Sequence, residues 1–153
     1  MVLDRIAIFL TLSTPNQILI MKQKFLMLAS LLSILFSMVH LTDDIVRGIE
    51  RGGLGNLVTA LPMYAIWLYG RLILAGRRSG YIIVLLGSLV GLCIPASHMI
   101  GRGLSASFGK SHGAFFFVAC TLLIGVTSFL SILLCVNGLR HLGRGRFDAP
   151  NAA

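Results

Sequence analysis

Four apolar stretches, each near the length of a bilayer crossing, dominate this 153-residue chain, and its charges fall between and around them. A helix rises about 1.5 Å per residue, so a hydrocarbon core of about 30 Å needs roughly 20 residues. The stretches are residues 25–41, 57–75, 81–100 and 114–139. Three of them contain no Asp, Glu, Lys or Arg, and the second carries Arg71 near its end. The links, residues 42–56, 76–80 and 101–113, are short, which favours antiparallel neighbours. The pattern predicts an all-α integral membrane protein, an up-down four-helix bundle with both termini in the cytoplasm.

Composition agrees with this reading. Charged residues make up 12% of the chain, about half of what a soluble domain carries. The formal net charge of +8 would point to nucleic acid in a soluble protein. Here the basic residues flank apolar segments, so they are read as topology signals, with the lipid bilayer as the partner and no nucleic acid. Cys93, Cys120 and Cys135 all lie inside apolar stretches without a CxxC pair, so they read as small hydrophobes and not as a disulfide framework.

Orientation follows the Lys/Arg asymmetry. Lys22, Lys24, Arg71, Arg77, Arg78, Arg140, Arg144 and Arg146 fall on one side, and Arg47, Arg51, Arg102 and Lys110 on the other. The richer side is expected in the cytoplasm of a multi-pass protein of the plasma (cell) membrane, with Arg71 snorkelling towards that face. Residues 1–24 read as an extension, surface-lying or without fixed structure, because their apolar run is short and Pro15 interrupts it. Residues 25–142 form the membrane domain, and residues 143–153 a cytoplasmic tail. The first apolar run lacks a small-residue cleavage site and leads into three more, so it reads as an uncleaved helix.

The outer side gathers the residues with chemistry. His40, His98 and His112 fall at its boundary, and Asp43, Asp44 and Glu50 lie in the first outer link. At about 100° per residue, Ala29, Ser33, Ser37, Asp44, Arg47 and Arg51 share a face with His40. Small residues favour close helix contact in lipid and ionisable ones face the bundle interior, so this stripe is expected to point inward. The helix is expected to continue to about Arg51 and to stop at Gly52-Gly53. In the third stretch Gly87-x-x-x-Gly91 shares the His98 face and marks a close packing surface. In the fourth, Thr121, Gly125 and Ser128 lie opposite the face of Phe115, Phe116 and Leu123.

Two chemistries fit the outer cluster. One is an ion-pair network of Asp43, Asp44, Arg47 and Glu50, with the aspartates one helical turn from Arg47. The other is a metal or proton-linked site built from His40, Asp43, Asp44, His98 and His112. Imidazole and carboxylate suit zinc or copper, and His40 with His98 would suit haem. No Walker loop, HExxH, GxSxG or dinucleotide fingerprint occurs, and no cofactor is evident from a motif. The leading expectation is a non-enzymatic membrane subunit or accessory factor with a polar outer pocket, homo-oligomeric or joined to other membrane subunits. The alternatives are a metal- or haem-binding redox or sensing protein and a small oligomeric transporter. The absence of a mid-membrane acid weakens transport.

Overall fold

Proline at the first position of a helix forfeits an N–H that has no partner there anyway, and the first helix begins on such a residue. The computed structural model describes residues 15–48, 52–100 and 114–147. Those residues form four helices: α1 Pro15–Val46, α2 Leu54–Leu72, α3 Arg78–Ile100 and α4 Ala114–Phe147. α1 starts ten residues before the apolar run, so residues 15–24 continue the first helix. Lys22 and Lys24 lower hydropathy there, but lysine is a good helix former, and Ile18, Leu19 and Ile20 keep the segment apolar.

α1 ends earlier than the glycine pair at 52–53. Gly48 has φ of +67°, which a glycine adopts without the steric cost of a Cβ. Its N–H bonds the Ile45 carbonyl at 3.0 Å, and the Arg47 N–H bonds that of Asp43 at 3.0 Å. These bonds satisfy carbonyls left open by the last turn. Gly53, with φ of +51°, precedes α2 instead. α4 runs on past the fourth apolar stretch to Phe147.

Three helices contain segments long and apolar enough to cross a membrane: Gln17–Val46, Arg78–Ser97 and Phe115–Gly143. α2 is 19 residues long, about 28 Å. It is not one of the three, because Asn56, Pro62, Arg71 and the polar-edged rings of Tyr64, Trp67 and Tyr69 dilute its apolar content.

The most extensive contacts join α4 to α3 and α4 to α1, and α2 packs on α3 and α1. The backbones of α2 and α4 do not approach each other closely among the described residues, so the cross-section is a rhombus with α1 and α3 on its short diagonal. Leu26, Ile34, Tyr64, Trp67, Tyr81, Val84 and Cys135 form the apolar core. Outside it, Leu28, Leu35, Ile66, Leu86, Phe115, Leu122 and Phe129 point away from the bundle, the arrangement that lipid rewards.

Glycines set the helix spacing. A Cβ at Gly70 would stand 2.5 Å from Ile83 Cγ2, and one at Gly91 would stand 2.5 Å from Ser128 Oγ. Gly138 sits against the ring of Tyr81. α3 therefore approaches both neighbours more closely than side chains of ordinary size allow.

Candidate functional site

Along α1 the buried polar residues are Ser30, Ser33, Ser37, His40 and Asp44. The spacing of three and four residues keeps them on one face, and Ala29 is buried beside them. The line begins with a local bond, Ser30 Oγ donating to the Leu26 carbonyl at 2.7 Å. One turn on, Ser33 Oγ donates to Thr127 Oγ1 of α4 at 2.8 Å, and Ser128 Oγ donates to Ser33 Oγ at 3.3 Å. Thr127 also bonds its own helix, donating to the Leu123 carbonyl at 2.6 Å. These hydroxyls lock α1 to α4 near the middle of both.

At the far end of the line the carboxylate of Asp44 and the imidazole of His40 stand one turn apart. His40 Nε2 is 3.5 Å from Asp44 Oδ2, and the two side chains are 4% and 8% exposed. Phe117 of α4 closes one side, its ring centre 5.0 Å from that of His40 and tilted by 51°. Asp43 faces the other way and takes Arg47, whose Nε donates to the carboxylate at 2.8 Å. That pair is partly exposed, so the two aspartates have separate partners and separate surroundings.

The remaining residues of the predicted cluster are not all placed. His98 falls in the last turns of α3, where only the backbone is described, and Glu50 and His112 lie outside the described residues, as does Arg51. Among the described residues no group of three His, Cys, Asp or Glu side chains stands close enough to hold a metal ion. Gly87 and Gly91 press on Trp67 and Ser128 respectively.

The opposite end of the bundle holds a charge that the sequence placed at the surface. Arg71 does not snorkel: it is 6% exposed, and its Nη2 donates to the Gln23 carbonyl of α1 at 2.8 Å. The reason is local. Gly70 and Gly80 bring α2 and α3 together here, and Arg71 lines a small recess with Leu26, Tyr81 and Val84.

Between the two ends runs a seam of buried hydroxyls that reaches beyond α1. Ser88 of α3 and Ser131 of α4 are fully buried, and their Oγ atoms have no hydrogen-bond partner among the described residues, as is true of Ser37 Oγ. Ser88 and Ser131 escape a reading centred on ionisable groups. The signal that finds Ser131 is its spacing, four residues after Thr127 and four before Cys135, on the small-residue face of α4. The cysteines are free, Cys93 exposed and Cys120 and Cys135 buried. No family model, curated protein or solved structure matches the chain.

Proposed function

We propose that this chain is a four-span, non-enzymatic subunit or accessory factor of the plasma membrane, an up-down bundle with both termini in the cytoplasm. The observation that carries this reading is how the interior polar groups are spent. Ser33 bonds Thr127, His40 pairs with Asp44 under Phe117, and Arg71 caps the Gln23 carbonyl. Each fastens one helix to another or one turn to the next, a use that gives a membrane bundle a fixed arrangement.

The helix pairings support the up-down order. Arg71, late in α2, meets Gln23, early in α1, and Gly138, late in α4, meets Tyr81, early in α3. α2 is then the fourth span, its 19 residues just matching a hydrocarbon core of about 30 Å. Its buried side carries Trp67 and Arg71, and Val58, Leu61, Ile66 and Leu72 remain exposed for lipid. The Lys/Arg asymmetry supports the orientation.

A second reading is favoured by one observation. A buried histidine beside a carboxylate is the arrangement that changes charge with pH or orients a metal ligand. His40 and Asp44 then form a proton- or metal-linked sensing site at the outer end of α1.

Three measurements on the purified protein separate these readings. Mass by light scattering in mild detergent is expected to exceed one 16.5 kDa chain, and a strict monomer counts against the subunit reading. Stoichiometric zinc or copper, or a Soret band, would move the assignment to the second reading. A single cysteine introduced at Thr42, in a chain with Cys93, Cys120 and Cys135 replaced by alanine, is expected to react with an impermeant maleimide added outside. Labelling of a cysteine at Ser79 in its place would reverse the orientation.

A further inference from the structure

Where α3 begins and α4 leaves the membrane, the two helices part and leave an open groove of about 920 Å³. Arg77 and Arg78 stand on its rim, and Ile82, Leu139 and Leu142 form its walls. The groove lies at the limit of the apolar windows of both helices, which run Arg78–Ser97 and Phe115–Gly143. It therefore straddles the boundary between hydrocarbon and water, with arginines on the wet side and aliphatic side chains on the dry side.

The chemistry on the two sides differs and both must be met at once. Arg77 and Arg78 are exposed. The ion pairs of the described residues are His40–Asp44 and Asp43–Arg47, at the other end of the bundle, so among the described residues neither arginine pairs with a carboxylate. Among those residues no carboxylate lines the groove. Two guanidinium groups line one groove, and each presents a forked donor that matches a phosphate. Ile82 and Leu142, each 42% exposed, offer surface to an alkyl chain and not to a water-soluble anion.

We propose that this groove binds one anionic phospholipid, its phosphate held by Arg77 and Arg78 and an acyl chain laid along Ile82, Leu139 and Leu142. The inference rests on α3 and α4 spanning the bilayer, and not on which way the bundle faces. A phosphate at this depth sits where lipid headgroups sit, and basic recesses between membrane helices favour anionic ones. A zwitterionic lipid brings its own cation and gains less from two arginines. The site would hold the α2–α3 link and the exit of α4 together through a lipid that neither helix can replace.

The test is native mass spectrometry of the full chain released from mixed micelles of phosphatidylglycerol and phosphatidylcholine. One phosphatidylglycerol is expected to be retained at least tenfold over phosphatidylcholine. The R77Q/R78Q variant is expected to lose that preference, and R140Q, which removes an exposed arginine outside the groove, to keep it. Glycerol phosphate at millimolar concentration is expected not to displace the lipid; displacement would make this a free-anion site and overturn the proposal. Equal retention of the two lipids by the unsubstituted protein would overturn it without any variant. So would an equal loss in R140Q, which would reduce the effect to general basic attraction. Cysteine labelling that places the loops as proposed, together with absent lipid preference, would reject the site and leave the topology standing.

Discussion

Gly87 of α3 lies against the indole of Trp67 of α2, so that a methyl group at Gly87 would stand 2.5 Å from Trp67 Cδ2. The indole is 2% exposed and belongs to the apolar core, so it has little freedom to withdraw. The absence of one side chain sets the distance between two helices.

Gly87→Ala is therefore expected to destabilise the bundle by about 1–3 kcal/mol, the usual cost of overfilling a packed interior. Detergent-titration unfolding in micelles followed by circular dichroism reads it. Trp67→Leu in the same chain should recover part of the loss, because the two sites share one space and are not additive. Strict additivity would mean that the clash lies elsewhere.

The Ser33–Thr127 bond has a measurable strength of its own. A double-mutant cycle with Ser33→Ala and Thr127→Val is expected to give a coupling of about 0.6 kcal/mol, typical of hydrogen bonds between membrane helices. A coupling indistinguishable from zero would leave Ser33 with its packing and the Ser128 hydroxyl.

At the C-terminal end of α1, His40→Leu removes a buried partner of Asp44 and is expected to cost about 1–3 kcal/mol. Adding Asp44→Leu to that variant should restore part of the stability, since a matched apolar pair leaves no buried carboxylate to satisfy. If the double variant is less stable than His40→Leu alone, Asp44 serves other partners more than it serves His40.

Arg71→Met tests the opposite end of the bundle. Burying a guanidinium on a carbonyl forfeits much of its hydration, and similar apolar replacements in proteins are often neutral or stabilising. The variant is expected to unfold within about 1 kcal/mol of the parent, or above it. Arg77 and Arg78 would still hold the orientation, so the labelling pattern should not change. A large loss would show that the Gln23 contact adds stability as well as setting how α1 meets α2.

Gly48→Ala isolates the backbone. Among the described residues no atom lies within 4 Å of where its Cβ would be, so the expected cost, about 1 kcal/mol, comes from the positive φ. Gly48→Asn should cost less, because asparagine tolerates that conformation.

Much of α1 could be read from periodicity. A turn of 100° per residue gathers Ala29, Ser33, Ser37, His40, Asp44 and Arg47; the first five side chains are buried, and Arg47 is partly exposed on Asp43. Its ends could not be read so, since hydropathy falls at Lys22 and Lys24 whereas the helix continues, and Gly48 stops it before the more conspicuous Gly52-Gly53. Arg71 reads as a snorkelling charge because a sequence shows a charge and not the carbonyl of Gln23 that receives it. The hydroxyls of Ser88 and Ser131 went unremarked because serine in an apolar run reads simply as small. Whether His40 meets His98 or His112 depends on the turn between α3 and α4, and no local pattern encodes that distance.

α1 has 32 residues and α4 has 34, so each is a rod of about 50 Å in a hydrocarbon layer of about 30 Å. Their hydroxyl contact, Ser33 with Thr127 and Ser128, comes near the midpoint of both. The junction leaves half of each rod on either side of it, so His40 with Phe117 and Gln23 with Leu139 stand at opposite ends of one hydroxyl-fastened pair.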